Sequence, residues 1–448
     1  MIKRTRRYLA GSGLGPLLVK AVVGSAGLRI GGMFFGFLVG IQLARGLGVE
    51  GYGLYGLAMS IIALLTVPTE FGLPQLLTRE VAAAQAVKDW SMLRGILKWS
   101  SNTVLVISVV ITIAMTFWLI ATGRDLDSPL AMTLLAGLIM VPFVALGNLF
   151  SAALRGLQHI VKGQLPDTLI RPASYSLLLF ILPMVTIPLN PAFAMGLGAV
   201  SAAIGLGVAG ALMRKNLPSE INGVAPKMQS AAWWASALPM ALTEGMRVLQ
   251  GHMAILLLGF LATVSMVGTF RVASSVALVI AVPTTLLNVV GAPIIARLHA
   301  QGDNARSQHL LSWIALGMTS CTLILTIPFI VAGAPLLSFV FGEEFGDANT
   351  PLLVLCGGAV LSGFYGANAA LLNMTRHQSR VTRASAVSLV LLALIAPPLI
   401  LMQGAVGAAI ATAFSMLIWN FLMWRDAHRL LALDTSLLPL FNSAKHHV

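Results

Sequence analysis

The chain has 448 residues, of which 57% are hydrophobic and only 10% charged, with a formal net charge of +13. A soluble domain is about 45–50% apolar and about 25% charged, so this composition excludes an ordinary water-soluble globule. Its two cysteines, Cys321 and Cys356, exclude a disulfide framework, and both fall in apolar runs where a thiol packs as a small apolar group.

A membrane-spanning helix needs roughly 20 apolar residues, and about twelve runs of that length follow one another along the chain. In order they cover 20–44, 53–77, 100–122, 130–154, 168–188, 191–213, 235–260, 269–293, 310–332, 351–373, 384–401 and 404–424. Interior prolines such as Pro68, Pro142, Pro183, Pro239 and Pro283 are compatible with spans, because neighbouring helices can satisfy the freed backbone groups. Lys3-Arg4-Thr5-Arg6-Arg7 resembles the start of a signal peptide, but no compact apolar stretch with a small-residue cleavage site follows at the right distance. The first span is therefore expected to be retained.

Where the cations fall explains the net charge. One set of loops holds 22 of the 28 Lys and Arg residues, while the opposite set holds only Arg45 and Arg124. The bias follows the positive-inside rule, places both termini in the cytoplasm, and makes nucleic acid an unnecessary partner. Exposed-looking aromatics, including Trp90, Trp99, Trp233, Trp234, Trp313, Trp419 and Trp424, flank spans and are expected to form interfacial belts.

The second half of the chain repeats the first. Gly198-Ala199-Val200-Ser201-Ala202-Ala203-Ile204 returns as Gly404-Ala405-Val406-Gly407-Ala408-Ala409-Ile410. Gly53-Leu54-Tyr55-Gly56-Leu57-Ala58 is echoed by Gly268-Thr269-Phe270-Arg271-Val272-Ala273, and at that offset Pro68 meets Pro283. Gly27-Leu28-Arg29 is echoed by Gly245-Met246-Arg247. The expected organisation is a six-helix lobe over 1–213, a cytoplasmic linker over 214–234 and a second six-helix lobe over 235–448. Both lobes start inside, so they form parallel repeats around a central cavity, an architecture of secondary transporters. The chain carries no Walker A loop, HExxH pair, GxSxG elbow or metal-spaced Cys/His cluster. Neither an enzymatic activity nor a metal or other cofactor is expected.

The segment Leu43-Ala44-Arg45-Gly46-Leu47-Gly48-Val49-Glu50-Gly51-Tyr52-Gly53-Leu54-Tyr55-Gly56-Leu57-Ala58 resembles the first inter-span loop of the polysaccharide transporter family. These are the Wzx-type O-antigen flippases of the multidrug/oligosaccharidyl-lipid/polysaccharide superfamily. Glu70-Phe71-Gly72-Leu73, Thr78-Arg79-Glu80-Val81-Ala82 and Phe341-Gly342-Glu343-Glu344-Phe345 are similar to further turns of that family. The resemblance implies an all-α, twelve-span flippase in the cell inner membrane. Its substrate would be an undecaprenyl-pyrophosphate-linked oligosaccharide, carried from the cytoplasmic to the periplasmic leaflet for surface polysaccharide assembly. Partners would be that lipid-linked oligosaccharide, the bilayer and other polysaccharide assembly proteins. Two relatives of the superfamily stand as alternatives, a multidrug exporter and a lipid II flippase. The latter usually carries two more spans, for which this chain lacks room.

Charges inside a membrane cost at least about 2.5–3.5 kcal/mol and default to functional roles. Arg29 shares a helix stripe with Gly32, Gly36 and Gly40, where helices are expected to approach closely. Arg247 is its counterpart in the repeat, and Arg271 starts a span near the outer face. All three are candidates for binding pyrophosphate, because a guanidinium donates paired, planar hydrogen bonds to phosphate oxygens. Arg247 also has Glu244 three residues earlier on the same helix face, which offers an ion pair instead. Glu70 has no basic residue within four positions, so it is either a proton-coupling carboxylate or a partner of Arg29 across helices. Asp167 and Arg171, four apart, are expected to pair at the inner start of the fifth span.

Overall fold

The computed structural model describes residues 14–121, 127–181 and 188–439. The termini, the Lys3–Arg7 cluster, Arg124, Pro183, Lys445 and the side chain of Lys20 lie outside the described residues. Among the described residues there is no strand, and the helices run in the order α1 Leu14–Glu70, α2 Leu73–Ala86, α3 Trp90–Ala121, α4 Pro129–Gly156, α5 Ile160–Leu165, α6 Arg171–Ile181 and α7 Pro191–Asn216. They continue as α8 Ser230–Leu261, α9 Val264–Ile280, α10 Val282–Ala300, α11 Asn304–Phe341, α12 Asn349–Tyr365, α13 Asn368–Met374 and α14 Gln378–Leu431. Seven helices among the described residues are long and apolar enough to cross a membrane, or eight if the bent pair α9 and α10 counts as one span. The protein is a multi-pass membrane protein.

Two of those helices each contain two expected spans. At 1.5 Å per residue, the 57 residues of α1 would stretch about 85 Å, against an apolar bilayer core of about 30 Å. The break falls at Gly48, whose φ of 68° lies in the left-handed region that glycine enters without strain. The 54-residue α14 breaks in the same way at Gly404, with φ 56°.

Several span boundaries differ from those expected. The second span stops at Glu70 instead of continuing to residue 77, because Phe71 and Gly72 both take positive φ and start the separate helix α2. Gly72 is lodged against α8: a methyl group there would come 2.6 Å from Ala241 N and 2.7 Å from Ala237 O. The eighth span is α9 and α10, bent by 40°. The fifth is interrupted by a π-helical turn over Pro166–Ile170, and no ion pair joins Asp167 to Arg171. The wider turn changes the i,i+4 register on which that pairing relied. The seven-residue repeat also fails to mark equivalent positions. Gly198 lies well inside α7, whereas Gly404 is the break in α14. Small residues recur at both places because close helix packing selects them, independent of register.

The chain divides into two compact units, one of residues up to Gly46 together with Ala58–Gly245, the other of Leu47–Leu57 together with Met246 onward. In the first unit α4 packs along α7, and a buried cluster of Leu73, Leu76, Leu77, Leu93, Ile96, Leu149 and Trp233 ties α2, α3 and α4 to α8. Trp233 is fully buried, its ring 5.1 Å from that of Trp99, so it belongs to a core and not to an interfacial belt. The connecting stretch after α7 is held to this unit as well. Arg94 donates to the Val224 carbonyl at 2.6 Å, and Lys227 N–H donates to the Ser91 carbonyl at 3.0 Å. In the second unit, Ile295, Leu311, Met318, Leu371, Ala384 and Met423 form the core. Val110, Ile113 and Phe117 on α3 lie exposed, an apolar face suited to lipid chains.

Candidate functional site

The first unit contains a cavity of ≈ 230 Å³ lined by Glu70, Gly72, Pro74, Gln75, Asn148, Arg155 and Glu244. Glu70 enters it because α1 ends there, and the Gly72 turn then carries Pro74 and Gln75 along its edge. Asn148 donates to Glu70 Oε1 at 2.6 Å, and Gln75 donates to Glu244 Oε2 at 3.4 Å. Arg155 lies two turns beyond Asn148 on the same side of α4 and donates to the Gly163 carbonyl at 3.5 Å. The structure thus brings the two expected carboxylates together with Arg155, the first residue beyond the expected fourth span. Lone polar residues in an apolar run were the available signal, since Asn148 sits between Gly147 and Leu149 in α4.

Arg29 lies in α1, is exposed, and forms no ion pair with Glu70. The glycine stripe beside it closes a contact at Gly32. A methyl group at Gly32 would collide with the Thr168 carbonyl, but one at Gly36 would meet open space. Packing therefore fixes the helix just past Arg29 and leaves its side chain accessible. Arg247 belongs to the second unit and is likewise exposed.

Arg271 occupies the most developed setting of the three. It lies in the middle of α9, half-buried, and its guanidinium carbon stands 5.1 Å from the ring centroids of both Tyr52 and Tyr55. Snorkelling to the headgroups, the simplest role for a residue at a span start, does not describe it. Both tyrosines are buried, and Tyr52 also meets Phe345 edge-to-face at 6.1 Å. A cation held over aromatic rings gains about 0.5–2 kcal/mol while keeping its charge and its edge N–H donors. The space exists because the residue matching Arg271 in the repeat is Gly56, where a methyl group would come 2.8 Å from Arg271 Cδ.

Around these residues the described chain offers no group of three or more His, Cys, Asp or Glu able to hold a metal ion. Outside the spans, Asp89 caps α3, accepting from the Ser91 hydroxyl at 2.7 Å and the Met92 N–H at 2.9 Å. The Ser91 hydroxyl, then the Met92 N–H, hold its carboxyl below the usual range.

Comparison with known proteins agrees with the all-helical architecture. The chain is 32% identical over 127 residues to Stage V sporulation protein B of Bacillus subtilis, covering 28% of this chain and 24% of that protein. It is 28% identical over 167 residues to the probable low-salt glycan biosynthesis flippase Agl15 of Haloferax volcanii, covering 36% and 34%. The matches thus span about a quarter to a third of these relatives' lengths. An inward-facing multidrug resistance transporter of the MOP superfamily matches with a TM-score of 0.72 at 13% identity, over 91% of this chain and 98% of its own. The lipid II flippase MurJ matches with a TM-score of 0.66 at 15% identity, over 91% and 87%. At such identities the two structures establish a shared fold and no more. The sequence itself matches the family described as polysaccharide biosynthesis protein over residues 18–299, and the chain belongs to that family.

Proposed function

We propose that this protein carries an undecaprenyl-pyrophosphate-linked oligosaccharide from the cytoplasmic to the periplasmic leaflet of the inner membrane, by alternating access, for surface polysaccharide assembly. Membership of the polysaccharide biosynthesis family over residues 18–299 carries the reading. The relative named as a probable glycan biosynthesis flippase supports it. The chemistry fits: Arg271, with Arg29 and Arg247, supplies guanidinium groups for the pyrophosphate, and a membrane-embedded cation without a strong reason to be there is costly. The substrate itself stays covalently unchanged in this reading, so no catalytic residue is assigned.

The first unit's cavity favours a second reading, since two carboxylates against one arginine suit a cation. Export of cationic compounds would use such a site. At ≈ 230 Å³, however, the cavity is smaller than the roughly 300–1,000 Å³ of typical small-molecule sites. We therefore assign Glu70 and Glu244 to coupling: Glu70 exchanges a proton with the cytoplasmic side, and Asn148 holds its carboxyl in place in either state.

Purified protein in proteoliposomes tests the choice. Translocation of a pyrophosphate-linked oligosaccharide, read by accessibility of the sugar to an external glycosidase, is expected; efflux of a cationic dye is not. Dye efflux without sugar translocation would replace the flippase with the exporter. Translocation of lipid II at an equal rate would move the substrate class to peptidoglycan precursors.

A further inference from the structure

Within the second unit, two helix starts cross with backbone touching backbone. A methyl group at Gly53 would collide with the Val264 carbonyl, and one at Gly268 would collide with the Val49 carbonyl. Each glycine covers the residue four positions before its counterpart, and the Gly53 methyl position would also lie 3.0 Å from Gly268 N. Gly53 and Gly268 are equivalent residues of the internal repeat. Residues paired by the sequence repeat therefore touch here, each against the start of the other's helix.

One further contact closes this crossing. The helix restarting after Gly48 presents its first free N–H, that of Val49, to Glu344 Oε2 at 2.9 Å. Glu344 comes from the 3₁₀ turn Glu343–Ala348, whose buried Phe345 packs on Tyr52. A carboxylate on a helix N-terminus makes a strong charge-assisted bond, and here it links segments 295 residues apart. The bond is exposed, so it can exchange with water without burying an unpaired group. Both partners belong to loops that the charge bias assigns to the outer face.

We propose that the Gly53–Gly268 crossing is the outer gate of the transport route and that Glu344 is its latch, an inference that rests on the alternating-access reading above. The glycines let the two helix starts close without side chains between them. The Glu344 cap on Val49 sets how readily they part. Arg271, three to seven residues inward of the crossing on α9, forms the floor beneath it.

Accessibility of a buried cysteine tests this in intact cells, without reference to any cargo. In the full chain carrying Cys321→Ala and Cys356→Ala, Val267→Cys places a thiol beside Gly268, at a position that is fully buried. A membrane-impermeant maleimide added outside should label it slowly. Adding Glu344→Ala should speed labelling about tenfold, the effect of losing one strong helix cap. Glu344→Gln, which keeps an oxygen acceptor without the charge, should fall between. Unchanged labelling in both variants at normal protein levels overturns the latch. Slower labelling would show that Glu344 props the crossing open, and overturns it also. If labelling rises as expected but no lipid-linked oligosaccharide moves, the gate stands and the substrate reading fails.

Discussion

The polar cavity of the first unit and the glycine crossing of the second use buried charge in opposite ways. Around Glu70 the partners are amides and a guanidinium that tolerate a change of protonation, since Asn148 can donate to a carboxylate or accept from a carboxylic acid after an amide flip. Arg271 lies over two aromatic faces, which reward a permanent cation. In the proposed mechanism the first setting holds a charge that comes and goes, and the second one that stays. A transporter that couples an ion to an anionic cargo needs one of each.

The sharpest way to break this contrast is Arg271→Gln. The variant is expected to insert at normal levels and lose translocation by well over tenfold, because it removes both the phosphate partner and the ring contacts, each charge-assisted bond being worth about 1.5–3 kcal/mol. Arg271→Lys should recover part of the rate, as an ammonium also sits over aromatic rings but lacks the planar fork. Wild-type translocation by Arg271→Gln in proteoliposomes would make this arginine structural.

Arg29→Gln comes next. Its side chain is exposed and lacks the aromatic support of Arg271, so a fall in apparent substrate affinity of roughly tenfold is expected, with Arg29→Lys partly active. Equal rates for wild type and Arg29→Gln would confine phosphate recognition to the second unit.

Glu70→Gln sharpens the other half of the comparison. Gln keeps a hydrogen bond to Asn148 while removing the titratable proton. Sugar movement down its own gradient should persist within about twofold, whereas acceleration by an imposed pH gradient should vanish. An undiminished response to the gradient would remove Glu70 from coupling.

Asp89 provides the smallest effect and an internal control, since it lies outside both sites. Asp89→Ala should cost about 1 kcal/mol of stability through the lost α3 cap. The folded carboxyl titrates below its unfolded value, so its stabilisation is present above the unfolded range and disappears as pH falls through the folded one. The melting difference between wild type and Asp89→Ala should therefore be full at neutral pH and shrink on acidification. A difference that grows in acid would contradict the cap.

The all-helical, multi-pass architecture was legible because lipid imposes a coarse rule: apolar length shows through whatever the loops do. The echo of Gly53 by Gly268 was equally readable, and it marked a real contact because only glycine permits that approach. Register was harder. Glycine and alanine recur wherever helices pack closely, so the seven-residue match at Gly198 and Gly404 aligned composition and not position. Arg155 was missed because a basic residue at a span end reads as topology. Trp233 was misplaced because a tryptophan beside a span fits a belt as well as a core, and only the fold brings Trp99 over it. That Glu244 joins Glu70 depends on where α8 lies against α2, which no local pattern encodes.

The eleven residues Leu47–Leu57 sit in the first half of the sequence yet pack in the second unit. A gene cut at the linker would thus yield an N-terminal fragment holding a segment whose contacts, Val264, Gly268, Arg271 and Glu344, are all on the other piece. Such fragments are expected to be inactive and short-lived apart, and to regain function only when made together.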